Sequence, residues 1–178
     1  MVPPASQKRA QLAEYYTVEN DAESQNRDFP IRLLEQLKRL RSESFSGVGL
    51  VFYSHLDELP STPLGHRTAM KPDLPTSGFE EIACMLAKVS DHGSPWHDGF
   101  HMIDMKSQTL THLSQFLAPP LEVLARLPED RPNGARQMTA LLTSLIPGIT
   151  YVGVLSTGDE IVVYENGKIL ARATEKNE

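Results

Sequence analysis

Three short apolar segments close the chain, and the turn signals between them constrain its fold more than any other feature. Residues 149–155 and 160–165 are rich in β-branched residues, as strands are, and residues 168–173 form a third short apolar segment. Thr157-Gly158-Asp159 separates the first two segments, and Asn166-Gly167 separates the last two. Because an Asn-Gly pair is a strong signal for a two-residue hairpin turn, the sequence predicts a closing antiparallel meander.

Strand and helix patterns alternate ahead of this meander. Residues 47–53 read G-V-G-L-V-F-Y, which is typical of a buried strand, and a second strand is predicted over residues 100–105. Apolar residues at helical spacing predict helices over residues 79–89 and 135–146, and Pro147-Gly148 ends the second one. Strand, helix, strand, helix and a meander indicate an α/β domain with a mixed sheet covered by helices.

The polar start of the chain differs from the rest. Residues 1–28 contain few apolar side chains, and we interpret them as a loosely held N-terminal arm. Phe29-Pro30 then marks a boundary, and residues 29–178 are predicted to form a single domain. Leucines and an isoleucine at helical spacing predict an amphipathic helix over residues 31–40.

Composition excludes several classes of protein. The chain has 17 Lys and Arg against 23 Asp and Glu, a net charge of −6 and a pI of about 5.5, which is the wrong balance for coating nucleic acid. Its apolar runs are far shorter than the roughly 20 residues that span a membrane. The one cysteine, Cys84, excludes an internal disulfide and is expected to pack in an apolar helix face. These features predict a cytoplasmic protein.

A first candidate site is the stretch Ser94-Pro95-Trp96-His97-Asp98-Gly99, which stands just before a predicted strand. An aspartate beside a histidine can hold a divalent cation or prepare a hydroxyl for attack. The glycine allows a ligand to approach the backbone closely. The alternative is a tight turn in which Asp98 caps local amides and His97 is solvated, and spacing alone leaves both interpretations open.

A second candidate site is Asn133-Gly134-Ala135-Arg136-Gln137, at the opening of a predicted helix. The free amides of a helix N-terminus form an anion site, and an arginine there can bind two phosphate oxygens. The alternative is that Arg136 faces solvent. A cation at this end is disfavoured by the helix dipole, which favours the anion-binding role.

Other common motifs are missing from the sequence. Histidines and aspartates are frequent between residues 91 and 112, but there is no H-E-x-x-H pair, so a dedicated zinc site is not expected. Gly47-Val48-Gly49 lacks the third glycine of a dinucleotide loop. No P-loop and no G-x-S-x-G elbow occurs.

Taken together, these stretches resemble the diadenylate cyclase domain, which condenses two ATP molecules into cyclic di-AMP. Residues 94–100, S-P-W-H-D-G-F, resemble the family's S-P-L-H-D-G-A motif. Residues 134–140, G-A-R-Q-M-T-A, stand where the family has G-T-R-H-R-A-A. Residues 47–53 match its early strand, and residues 148–169 are similar to its closing strands. The resemblance implies a twisted mixed β-sheet flanked by helices.

The first motif carries the family's roles position by position. Asp98 matches the acidic residue that serves the metal and the attacking ribose hydroxyl, so the resemblance implies a catalytic and metal-binding role. His97 matches its neighbour near the metal. Gly99 matches the glycine close to the nucleotide, and Phe100 replaces a small alanine, where its ring would narrow the pocket or stack on a base. Mn²⁺ or Mg²⁺ bound with the nucleotide is the implied cofactor.

The second motif departs from the family. Gly134 and Arg136 match it, whereas Gln137 and Met138 replace a histidine and an arginine, and Ala135 replaces a threonine. In the family, the replaced histidine and arginine hold triphosphate oxygens, and each charge-assisted contact is worth roughly 1.5–3 kcal/mol. The resemblance assigns nucleotide binding to residues 134–137. Because two cationic contacts are missing, we expect cyclase activity to be weakened.

Three hypotheses follow from the sequence. The first is a sensor or regulatory module that binds ATP or a cyclic dinucleotide, with neither nucleic acid nor a membrane as partner. The second is an active diadenylate cyclase, or a related nucleotidyltransferase, formed as a homodimer or higher oligomer, with a phosphate clamp drawn from Arg131, Arg136 or Lys106. The third is a non-enzymatic scaffold in which the helix over residues 31–40 docks a protein partner.

Overall fold

The computed structural model describes residues 26–65 and 71–173. Helix α1 covers residues 26–40. The elements that follow are, in chain order, β1 (Val48–Tyr53), β2 (Ser61–Pro63), β3 (Thr76–Ser77), α2 (Phe79–Val89), β4 (Phe100–Asp104), β5 (Thr109–Leu117), a 3₁₀-helix (Leu121–Arg126), α3 (Ala135–Thr143), β6 (Ile149–Leu155), β7 (Ile161–Glu165) and β8 (Lys168–Ala173).

The strands form one mixed sheet of eight strands, which confirms the predicted fold class. Its order is β2-β5-β4-β1-β6-β7-β8, and β3 also pairs with β5. Strands β1 and β4 run parallel, and α2 lies between them in the chain, as a crossover connection requires. The predicted meander β6-β7-β8 is confirmed. Its hairpin turn has positive φ at Asn166 and Gly167, as a type I′ turn demands.

Alternation along the strands produces two apolar cores, one on each face of the sheet. Along β1, Val48, Leu50 and Phe52 belong to one core, and Val51 belongs to the other, which follows from the two-residue period of a strand. Helices α1 and α2 cover the first face. Helix α3 and the 3₁₀-helix cover the second. The result is a sheet between two helical layers.

Helix α1 begins earlier than the sequence predicts. Residues 26–30 are helical. The helix therefore runs through Phe29-Pro30, where the sequence predicts a boundary. Phe29 is buried, and its ring lies 6.0 Å from the rings of both Phe52 and Phe79 in edge-to-face contacts. These aromatic contacts hold the turn against the sheet. Of the predicted arm, residues 26–28 therefore belong to α1, and residues 1–25 lie outside the described residues.

The apolar stripe of α1 is used inside the domain. Leu33, Leu34 and Leu37 are fully buried in the first core, so the face expected to dock a partner packs on the sheet instead. Cys84 is exposed on α2, and its expected packing role is wrong. No described helix is both long enough and apolar enough to cross a bilayer.

Candidate functional site

The two candidate motifs meet at the edge of the sheet where β1 and β4 begin. Arg136 lies in the first turn of α3, and its Nη1 donates a hydrogen bond to the carbonyl oxygen of Ser46 at 3.1 Å. Its Nη2 lies 3.8 Å from Oδ1 of Asp98. Parallel β1 and β4 start side by side, so the residues that precede them are neighbours. The fold thereby brings Asp98 and Arg136 together.

Two glycines at the start of β1 leave space for larger side chains: Gly47 for Arg136 and Gly49 for Phe100. A Cβ atom at Gly47 would lie 2.6 Å from Nη1 of Arg136, and one at Gly49 would lie 2.5 Å from the ring of Phe100. Phe100 itself is buried in the second core. The ring of Phe100 thus packs over Gly49 and does not line the cavity beside Arg136. The expected stacking of Phe100 on a base of the ligand therefore has no support in the structure.

The turn around Asp98 has many internal hydrogen bonds. Nδ1 of His97 donates to the carbonyl oxygen of Ser94 at 2.7 Å, since a carbonyl can only accept. Oδ1 of Asp98 accepts from the amide of Gly99 at 2.7 Å, while the side chain remains 74% exposed. Gly99 has φ +81, and a Cβ there would lie 2.7 Å from the carbonyl oxygen of Gln115. Asp98 therefore caps a local amide and also contacts Arg136.

Two buried residues support this turn: Ser114, which no motif marked, and His101, which the sequence placed only among the histidines considered as a metal cluster. Ser114 donates its amide to Nδ1 of His101 at 3.0 Å, and its hydroxyl donates to the carbonyl oxygen of Asp98 at 2.8 Å. Burial, with a smaller contribution from the charge of Arg136, lowers the pKa of His101 to about 3. His101 is therefore neutral at physiological pH. The position of His101 within the apolar run of β4 is the sequence signal that points to a buried histidine.

A cavity of about 510 Å³ opens beside Arg136. Three arginines line it, Arg131, Arg136 and Arg172, together with one carboxylate, Glu160. Of the residues assigned to nucleotide binding, Gly134, Arg136 and Gln137 line this cavity, whereas Gly99, Phe100 and Ala135 do not. His97 and Asp98 also lie outside its lining.

Glu160 is the residue on which the polar contacts of the cavity converge. Nε2 of Gln137 donates to one carboxylate oxygen at 3.0 Å, and Nε of Arg172 lies 3.2 Å from the other. No motif in the sequence marks Glu160 or Arg172. Glu160 directly precedes β7 and Arg172 lies in β8, so the pairing of these strands brings both residues to the cavity. One carboxylate among three arginines leaves the cavity with an excess of positive charge.

The start of α3 adds to this positive character. Gly134 is the N-cap residue and provides no side-chain hydrogen bond to the helix amides, and the first turn contains no acidic residue. Burial lowers the pKa of Arg136, and the charge of Asp98 opposes that shift. A partly buried cation at the positive end of a helix is electrostatically unfavourable, so this site suits an anion.

The donors near Asp98 are too few to form a metal site by themselves. Within the described ranges 26–65 and 71–173, no three His, Cys, Asp or Glu residues are grouped so that they could hold a metal ion. Nδ1 of His97 is engaged by Ser94. A magnesium ion carried by a polyphosphate needs only one or two protein carboxylates, and the exposed carboxylate of Asp98 fits that requirement.

Comparison with known proteins finds similarity at the level of structure and none at the level of sequence families. No family model and no curated protein sequence matches the chain. The chain is similar to the crystal structure of a doubly substituted DacA from Staphylococcus aureus, with 17% sequence identity and a TM-score of 0.46. The similarity covers 88% of this chain and 90% of that chain. DacA is a diadenylate cyclase.

Proposed function

We propose that this chain is a divergent diadenylate-cyclase-like domain that binds a nucleotide, or a messenger derived from one, and acts as a sensor or regulatory module. The cationic cavity beside Arg136 carries this proposal. Three arginines and one carboxylate surround about 510 Å³, in a chain with a net charge of −6. This volume lies within the usual range for small-molecule sites, and its charge selects for anions.

The phosphate of the ligand binds between Arg136 and the start of α3. A Cβ atom at Gly134 would meet no atom within 4 Å, so the approach to the helix amides is open. Amides at a helix N-terminus donate to phosphate oxygens, and an anion there offsets the charge of Arg136. Asp98, on the other side of Arg136, would hold a divalent ion, Mn²⁺ or Mg²⁺, that accompanies a polyphosphate.

Robust synthesis of a cyclic product is not part of this proposal. Gln137 and Met138 stand where the family has a histidine and an arginine, so two cationic contacts to the phosphates are missing. The amide of Gln137 is engaged by Glu160. Each lost contact of this kind costs roughly 1.5–3 kcal/mol, or about tenfold in rate for each 1.4 kcal/mol.

The test is the thermal stability of the purified chain with ATP, GTP and cyclic di-AMP, each with and without Mn²⁺. A ligand at a hundred times its Kd stabilises a protein by about 2.7 kcal/mol, which raises the Tm by several degrees at this size. A selective increase is expected. No increase with any of these ligands contradicts the proposal, and a cyclic product in the ATP mixture identifies an enzyme.

A matched pair of variants assigns the binding to the cavity. Arg136→Gln removes a cation from the lining and should weaken ATP binding by about tenfold or more. Lys106→Gln removes a cation from the turn between β4 and β5, where Lys106 is exposed and does not line the cavity. Equal losses in both variants would show that the ligand responds only to the overall charge.

A further inference from the structure

A second cavity adjoins the first. It has a volume of about 300 Å³ and shares Arg131, Pro132 and Arg172 with the cavity beside Arg136. Lys168 and Ile169 of β8 line it further. Two arginines thus stand where the two cavities meet, and each cavity extends away from them.

The second cavity combines positive charge with apolar surface. Lys168 adds a cation to the two shared arginines, and Asp130 is the one carboxylate in the lining. Ile169 is 46% exposed, although it lies on a strand next to these cations. An apolar surface beside cations suits a planar base that is attached to phosphate, because the base covers the apolar side chain and the phosphate binds the cations.

We propose that the ligand of this domain is a linear dinucleoside polyphosphate that occupies both cavities. Its phosphates extend from Arg136 at the start of α3 to Arg131 and Arg172, and one nucleoside lies in each cavity. This proposal rests on the proposed function, because the first nucleoside uses the cavity beside Arg136. Such a ligand has a nucleoside at each end and phosphates between them. The groove has a cavity at each end and arginines between them.

The charges of the combined groove agree with a ligand that carries several phosphates. Arg131, Arg136, Arg172 and Lys168 line the two cavities, against Glu160 and Asp130. A mononucleotide in the first cavity would leave Lys168 unused and the exposed side chain of Ile169 uncovered. A second nucleoside buries that apolar surface, and its removal from water strengthens binding.

The experiment compares ATP with diadenosine tetraphosphate by calorimetric titration of the purified chain. We expect one tetraphosphate per chain and an affinity about tenfold or more above that of ATP. Ile169→Ser should lower the affinity for the tetraphosphate by about fivefold and leave that for ATP unchanged. Leu121→Ser is the matched control, because Leu121 is a 77% exposed apolar residue that lines neither cavity.

The outcomes separate this inference from the function on which it rests. If both probes bind equally, or if Ile169→Ser weakens them by the same factor, the second cavity is not part of the site and the inference is overturned. Loss of ATP binding in Arg136→Gln would then still support the proposed function. If neither probe binds, this inference is overturned, and the proposed function is decided by the thermal stability with GTP and cyclic di-AMP.

Discussion

The turn that holds Asp98 and the start of α3 meet at Arg136, but they satisfy their polar groups in different ways. In the turn, Asp98 and His97 are bonded to neighbouring backbone groups, and Ser114 bonds the carbonyl oxygen of Asp98. At the start of α3, the N-cap residue Gly134 offers no side-chain bond. The motif that best matches the family is therefore mostly bonded within the protein, and the motif that departs from it lines the open cavity.

A motif match and an available binding site are thus separate properties of a protein. A turn whose groups are bonded internally contributes chiefly to stability, because each substitution breaks bonds that already exist. A cavity with excess charge contributes chiefly to binding. Substitutions that break the internal bonds or the backbone geometry of the turn should therefore change the free energy of unfolding, and substitutions around the cavity should change ligand affinity.

The largest expected effect is on Gly99. Its φ of +81 is strained for any other residue, and a Cβ there would lie 2.7 Å from the carbonyl oxygen of Gln115 and 3.0 Å from Cδ1 of Leu64. Gly99→Ala should lower the free energy of unfolding by about 2–4 kcal/mol, measured by urea denaturation.

The control for this variant lies in the other region. Gly134 has φ −94, and a Cβ atom there would meet no atom within 4 Å. Gly134→Ala should change the free energy of unfolding by less than about 1 kcal/mol. Similar losses in the free energy of unfolding would contradict the expectation that the turn around Asp98 tolerates substitution less well than the start of α3.

The second effect is a pH dependence caused by the buried histidine that supports the turn. The pKa of His101 is lowered from 6.5 to about 3 by burial. Between these values the unfolded chain binds a proton at His101 and the folded chain does not, so stability falls as the pH falls. Above pH 6.5 both states are neutral at this residue and its contribution is constant. The loss should reach about 2 kcal/mol at pH 5.

Urea denaturation between pH 7 and pH 5 measures this loss, and His101→Asn identifies its source. The amide oxygen of asparagine can take the place of Nδ1 as acceptor for the amide of Ser114, but it does not titrate. The variant should show a flatter pH profile than the original chain. An unchanged slope would show that other groups cause the pH dependence.

Local sequence patterns predicted most of the fold. Helix α2 occupies residues 79–89 as expected, because its apolar spacing is regular and its neighbours are turn residues. Helix α3 ends at Thr143, three residues before the predicted end. The start of α1 was missed, because the rings of Phe52 and Phe79 that hold Phe29 are distant in the sequence.

The site was predicted less completely, and the reason is its construction. Gly134, Arg136 and Gln137 of the cavity lining were singled out in the sequence, since a helix start is a local signal. Arg172 and Glu160 were not found, because each belongs to the end of a strand pair that only the folded sheet brings to Arg136. Local sequence patterns predict residues close to a motif in the chain, and residues that strand pairing brings to the site from elsewhere need the structure.

A smaller effect is expected from the carboxylate in the cavity. Glu160 lies against Arg172 and Gln137 and opposes the binding of an anion. Glu160→Gln should therefore raise the affinity for ATP by about threefold to tenfold, measured by calorimetric titration. Glu165→Gln is the control, since Glu165 pairs with Arg27 outside the cavity. A loss of affinity in Glu160→Gln would instead assign Glu160 a direct role in holding the ligand.

The smallest effect on stability is expected at Asp98. Its carboxylate is 74% exposed and lies 3.8 Å from Arg136, and ion pairs this exposed contribute little. Asp98→Asn keeps an acceptor for the amide of Gly99, so the free energy of unfolding should change by less than about 0.5 kcal/mol. If Asp98 holds the divalent ion, the variant should also lose the increase in ATP affinity that Mn²⁺ gives the original chain, while binding without metal persists. A variant that still responds fully to Mn²⁺ would leave Asp98 with its role in the turn alone.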